Sequence, residues 1–183
     1  TGGFGAAEAG GSFGAWLKRA GFDALIVEGA SPRPVYLWIK DGLAELRDAT
    51  HLWGKTTKET EALVRAEVGE PRAELAMIGL GGENLVKYAC VMHGLKDAAG
   101  RTGMGAVMGS KKLKAVAVWG SENLEAADPD AIRDIARRAA QEVREGTRAA
   151  WVSKAGTGGQ QLAGGILQGN MPIRNFRDGE FPE

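Results

Sequence analysis

Through the first two-thirds of the chain, apolar residues come in short runs cut by turn residues; after that they follow a helical rhythm. Ser12 to Ala20 predicts a short helix ended by Gly21. Asp23-Ala-Leu-Ile-Val-Glu-Gly29 is an apolar run between turn signals and predicts a buried strand. Pro34-Val-Tyr-Leu-Trp-Ile39 predicts another, since its residues suit a pleated surface. Asp41-Gly42 then signals a two-residue hairpin into Leu43 to Arg47. Thr56-Thr-Lys-Glu59 has the form of a capping box, and Leu63, Val64 and Val68 give the helix behind it an apolar face. Gly69 and Pro71 stop that helix. Ala73 to Ile78 and Val86 to Met92 predict two more strands, the second carrying Cys90. A helical turn over Gly105 to Lys111 leads into the strand Lys114 to Trp119.

The character changes near residue 124. Asp128-Pro129 makes an N-cap and first-turn pair. Behind it Ile132, Ile135, Ala136, Ala139 and Val143 fall at helical spacing. The expected organisation is therefore α+β: a two-layered mixed β-sheet domain with short helices over 1–123, then a helical segment over 124–183.

Composition narrows the function. The 183 residues are 44% hydrophobic and 25% charged, enough to bury a core. Lys plus Arg and Asp plus Glu both number 23, so no bulk charge drives binding to nucleic acid or to a membrane surface. No apolar run approaches a membrane span, and no signal segment opens the chain, so a cytoplasmic setting is expected. The start at Thr1, without Met, implies a processed or excised chain. A single cysteine, Cys90, excludes an internal disulfide and an iron–sulfur site built by this chain alone.

Of the 28 glycines, 19 cluster within 2–14, 79–82, 100–109 and 156–169. Such loops serve either as tight turns or as main chain that comes close to a large ligand. Two familiar phosphate motifs fail. Gly54-Lys55-Thr56 resembles the end of a P-loop, but Ala49 stands where its first glycine is needed, so Thr56 reads as a cap. Gly103-Met-Gly105-Ala-Val-Met-Gly109 has one residue too many for a dinucleotide fingerprint. His51 and His93 lack partners at metal-ligand spacing and read as packing or surface histidines. The stretch Ala98-Ala-Gly-Arg-Thr-Gly-Met-Gly-Ala-Val-Met-Gly-Ser-Lys-Lys-Leu-Lys-Ala115 combines free main-chain N–H groups with an Arg at its start and three Lys at its end. It can act as an anion cradle or as a plain strand connection with solvated lysines.

At these residues the sequence resembles the tungsten-dependent aldehyde:ferredoxin oxidoreductase family, in its N-terminal domain. The resemblance runs through Gly10-Gly-Ser-Phe-Gly-Ala-Trp-Leu, Leu52-Trp-Gly-Lys55, Gly82-Glu-Asn-Leu-Val86, Gly105-Ala-Val-Met-Gly-Ser-Lys111 and the later Pro172 and Asn175-Phe176. It implies an enzyme oxidising aldehydes to carboxylic acids and passing electrons to ferredoxin or a related carrier. The implied cofactor is a tungstopterin, with tungsten or molybdenum held by two pterins near a [4Fe–4S] cluster whose ligands lie outside this chain. The remaining domains of the enzyme would complete it, as a homo-oligomer or subunit complex.

By the same resemblance, Gly10 and Gly11 match a glycine pair at the pterin and Ala98 a second contact, with Gly100 and Arg101 following in the same cradle. The glycines at 103 and 105 would serve the cofactor too, so Val at either is expected to lower cofactor content before folded yield. Two positions depart from the family pattern. Glu8 replaces an Asn, and Asp97 replaces an Arg. Both bring a carboxylate to a place suited to phosphate, an unfavourable charge that Lys96 partly offsets. Two alternatives follow: a scaffold that kept the fold and lost the cofactor, or a subunit of a tungsten aromatic acyl-CoA reductase.

Overall fold

The computed structural model describes residues 4–179, so Gly2 and Gly3 of the first glycine cluster lie outside the described residues. The chain divides between Leu124 and Glu125 into two compact units. The first holds α1 (Phe13–Arg19), β1 (Val35–Lys40), β2 (Leu43–Asp48), a 3-10 turn (Thr50–Leu52), α2 (Thr57–Val68), β3 (Glu74–Met77), α3 (Leu80–Glu83), β4 (Val91–His93), β5 (Asp97–Ala99), α4 (Met104–Ser110) and β6 (Leu113–Trp119). Its strands form one mixed six-stranded sheet in the order β2-β1-β6-β3-β4-β5, an α+β fold.

The hairpin at Asp41-Gly42 forms as its sequence requires. Both turn residues have positive φ, 44° and 81°, the twist that joins two antiparallel strands directly. At the centre, β6 runs parallel to β1 and antiparallel to β3. Side chains of these strands alternate between two covered faces. Tyr36, Trp38, Leu75, Met77, Ala115 and Ala117 pack with Val64 of α2. Ile39, Val116 and Val118 point the other way, onto Leu17 of α1 and its C-cap Ala20. Burial on both faces explains why β6 reads as continuous apolar sequence instead of alternating. The capping box of α2 forms in full: Glu59 N–H donates to the Thr56 hydroxyl, and the Glu59 carboxylate accepts from Thr56 N–H at 2.9 Å.

Two expected strands differ from the structure. Residues 24–28 belong to no strand or helix, and Ile26 is 89% exposed. A β-prone run needs a neighbour to pair with, and the described residues supply none. The strand expected over Val86 to Met92 shortens to β4, which begins after Cys90. The left-handed turn at Leu85 (φ 58°) and the turn bond from Ala89 N–H to Val86 O bend the chain there instead.

In the second unit, α5 (Pro129–Glu145) starts at Asp128, whose carboxylate caps Ala131 N–H at 2.9 Å. None of its residues is buried, and Ile132, Ile135 and Val143 are all more than half exposed. The following α6 (Thr147–Gln168) is broken at Gly156, whose φ of 62° and ψ of −177° are not helical.

Candidate functional site

The glycine-led segment before α1 lies against the loop that follows β5. Thr102 Oγ1 lies 3.4 Å from Ala6 O, while it donates to Arg101 O at 2.7 Å. A Cβ placed on Gly5 would stand 3.0 Å from Thr102 Cβ. Further along, Cβ atoms on Gly10 and Gly11 would meet Asp97 Oδ1 and Oδ2 at 3.1 and 3.0 Å. Asp97 opens β5, which also contains Ala98, and Gly100 and Arg101 follow directly. The structure thus brings Gly10 and Gly11 to Asp97, at the start of the segment 97–102 formed by β5 and the loop behind it. Ala98, Gly100 and Arg101 on that segment are exposed.

Both sides of this junction are held from beneath. Ala7, Ala9 and Phe13 pack with Ile78, Val91 and Ala99. The Phe13 ring sits 5.2 Å from that of His93, and in the middle of α1 the Trp16 ring stacks on Trp119 at 6.3 Å. Helix α1 is therefore held at its start and its middle, and with it the loop that enters it.

The glycines divide into two kinds. At Gly103 a Cβ would fall 2.1 Å from Lys87 O, at Gly105 2.3 Å from Cys90 O, and at Gly109 1.9 Å from Gly82 O. Gly103 also has φ of 71° as the cap of α4. Main chain packed on main chain dictates these three, which corrects the expectation that Gly103 and Gly105 are small for a cofactor's sake. Gly14 and Gly100 are different: a Cβ on either would meet nothing within 4 Å, and neither has positive φ. Gly10 meets only the Asp97 carboxylate. Neither packing nor backbone conformation asks for glycine at 14 and 100, and the space over them is open. A side chain at either position would point into open space. The charge of the junction is mixed, with Arg101 and Lys96 exposed beside it and Asp97 within it.

Three residues that the sequence reading left aside contribute. His93 pairs across the hairpin with Asp97. Burial pushes its pKa down, while the Asp97 charge pulls it up. Lys114 and Glu83 form an ion pair with side chains 0% and 4% exposed. Lys114 Nζ also donates to Lys55 O at 2.9 Å, and Glu83 Oε2 accepts from Gly54 N–H at 2.8 Å. This network ties β6, α3 and the turn before α2 together, and α3 in turn seats α4 through Gly82 and Gly109. The signal for it was a lysine inside an otherwise apolar strand, which demands a buried counter-charge. The cavity lined by Trp38, Lys40, Asp41, Leu43, Glu45 and Arg47 includes none of the junction residues. Among the described residues no group of three or more His, Cys, Asp or Glu side chains is placed to hold a metal ion. No helix among them is long and apolar enough to cross a membrane.

Comparison with known proteins fits this geometry. Residues 1–120 match the family model described as the N-terminal domain of aldehyde ferredoxin oxidoreductase. The chain is 45% identical over 182 residues to a tungsten-containing aldehyde ferredoxin oxidoreductase of Pyrococcus furiosus, covering 96% of this chain and 29% of that protein. It is 47% identical over 181 residues to the protein of the same description from Thermococcus kodakarensis, with the same coverage of 96% and 29%. The chain thus spans about three-tenths of the length of these curated relatives. Among solved structures it resembles a chain of the active site complex BamBC of benzoyl coenzyme A reductase, in complex with 1,5-dienoyl-CoA. That likeness has a TM-score of 0.72 at 42% identity and covers 75% of this chain and 21% of the other. By the extent of these matches, the chain belongs to the aldehyde ferredoxin oxidoreductase family and carries its N-terminal domain.

Proposed function

We propose that this chain is the cofactor-cradling base of a tungsten or molybdenum bis-pterin oxidoreductase. The enzyme converts aldehydes to carboxylic acids and passes electrons through a [4Fe–4S] cluster to ferredoxin or a related carrier. The observation that carries this reading is the open main chain at Gly14 and Gly100, where glycine has no internal cause, in a chain of this family. On this reading the main chain of Gly10, Gly11, Ala98 and Gly100 would hold the group, and the Arg101 guanidinium would supply the positive charge for its phosphate. When bound, the group supplies the two-electron chemistry by which an aldehyde and water yield an acid, two protons and two electrons. The chain's own part is to bind and orient it on a base made rigid by α1, α4 and the Lys114–Glu83 pair. The cluster's thiolates come from other domains of the enzyme, in an oligomer or subunit complex.

Two further readings have an observation each. The structural likeness to a benzoyl-CoA reductase complex favours reduction of an aromatic acyl thioester. The Asp97 carboxylate over Gly10 and Gly11 favours a scaffold that has lost its cofactor. Metal analysis of the full-length gene product, with fluorescence of the oxidatively released pterin, separates them. Tungsten or molybdenum with pterin supports the cradle, and the absence of all three supports the scaffold. Given a loaded enzyme, assays of aldehyde oxidation against aromatic acyl-CoA reduction decide between the two chemistries.

A further inference from the structure

Strand β2 stands at one side of the sheet, and its outer edge has no neighbour among the described residues. The hairpin fixes which main-chain groups face that edge. Leu43 pairs with Lys40 across the Asp41-Gly42 turn, and at the far end Ala49 N–H donates to Pro34 O at 2.9 Å. Hydrogen-bonded pairs alternate along an antiparallel ladder, so Leu43, Glu45 and Arg47 turn their amides toward β1. The N–H and C=O groups of Ala44, Leu46 and Asp48 therefore point outward. On one face of the edge Leu46, 66% exposed, continues the apolar row begun by its register partner Leu37. On the other face Glu45 and Arg47 stand side by side, joined at 2.9 Å.

Such an edge can take up one more strand, and the charges select which. When a second β2 is laid antiparallel, outward residues must oppose outward residues. Centring the pair on Glu45 or on Arg47 sets like charges face to face, the usual guard against edge pairing. Centring it on Leu46 sets Glu45 opposite the partner's Arg47, twice by symmetry. The same register lays Leu46 on the partner's Leu46 and Ala44 opposite the partner's Asp48. We propose that two copies of this chain associate through β2, antiparallel and centred on Leu46, so that their sheets join edge to edge. Unlike charges in cross-strand register, with a self-matching leucine between them, favour a second copy as the occupant. A pairing over 44–48 buries too little surface for a permanent dimer, so the contact is reversible. It lies at the opposite side of the sheet from β5 and does not depend on the cofactor reading.

Leu46→Cys in the full-length gene product tests the register. Cα atoms of a hydrogen-bonded pair stand about 5.5 Å apart, within disulfide reach. Mild oxidation at high protein concentration is expected to link the two substituted positions of separate copies, as mapped by mass spectrometry, and dilution is expected to abolish the link. In that background Glu45→Arg or Arg47→Glu, each alone, is expected to lower the yield at least about tenfold by opposing like charges. Mixing the two charge variants, one of them isotope-labelled, is expected to restore the link between labelled and unlabelled copies. The Glu45–Arg47 pair within one chain cannot produce that recovery. Absence of the link, equal linking in every variant, a mixture that fails to recover, or a bond from position 46 to another part of the same chain overturns the proposal. Without any substitution, the amides of Ala44, Leu46 and Asp48 are expected to exchange more slowly as protein concentration rises. Exchange independent of concentration overturns it as well.

Discussion

The carbonyl oxygen of Gly82 lies where a Cβ of Gly109 would be, 1.9 Å from it, so α3 and α4 meet main chain to main chain. No side chain fits between them. That contact seats α4, whose cap residue Gly103 leads back through Thr102 to the exposed loop at Gly100 and Arg101.

The two kinds of glycine separate by experiment. Gly103→Ala and Gly105→Ala force a Cβ onto Lys87 O and Cys90 O, and each is expected to cost roughly 1–3 kcal/mol or more of stability, as overpacked sites do. Gly100→Ala leaves folded yield and melting temperature unchanged. Gly100→Trp fills the open space and is expected to lower pterin retention severalfold at the same melting temperature. Comparing released-pterin fluorescence with calorimetry checks both, and a drop in melting temperature for Gly100→Ala would count against the division.

The Lys114–Glu83 pair has an asymmetric mutational signature. Glu83→Ala strands a buried ammonium and is expected to cost roughly 3–5 kcal/mol. Replacing both partners by apolar residues, Glu83→Leu with Lys114→Met, restores most of that loss. Calorimetry of the single and double variants checks the coupling, and additive losses would deny it.

Tyr36 gives the domain an alkaline limit. Burial, and then its hydrogen bond to Glu67 at 2.8 Å, push its pKa up to about 12. The folded value exceeds the unfolded one near 10, so this stabilisation is complete below about pH 10 and is lost as the pH climbs toward 12. Stability is expected to fall by up to about 2 kcal/mol across that window. In Tyr36→Phe the fall is smaller, which urea unfolding at stepped pH would reveal.

Asp97 sets the charge of the junction. Asp97→Asn removes the carboxylate over Gly10 and Gly11 and is expected to raise retention of a phosphate-bearing group. It also withdraws the charge that raises the His93 pKa, so His93 is expected to titrate at lower pH. An NMR titration of the imidazole resonances reads the second effect independently of the first.

Much of the fold was legible because local signals and tertiary needs agreed. The hairpin at Asp41-Gly42, the capping box at Thr56 and the helix start at Asp128 each satisfy their own main-chain groups, and the sequence shows the residues that do so. The segment at 24–28 was misread because apolar content reports a tendency to pair and says nothing of where the partner lies. At the site, the resemblance pointed to loops that the structure does bring together around Asp97. It could not separate glycines needed for packing from glycines with open space. That distinction depends on which carbonyl faces each Cα, as Lys87 O faces Gly103, and such a contact leaves no trace in the local pattern. The Lys114–Glu83 pair was hidden for the same reason, although a lone lysine among valines and alanines marked one end of it.

The parallel pairing of β1 with β6 has a kinetic consequence. Tyr36 sits beside Ala115, roughly eighty residues later in the chain, and contacts so distant in sequence slow the search for the native state. During synthesis the β1–β2 hairpin emerges long before its inner neighbour, so its apolar edge waits uncovered while the ribosome works through α2, β3 and both glycine-tight helices. The sheet closes only when β6 arrives, because β6 lies between β1 and β3 and joins the early hairpin to the later strands.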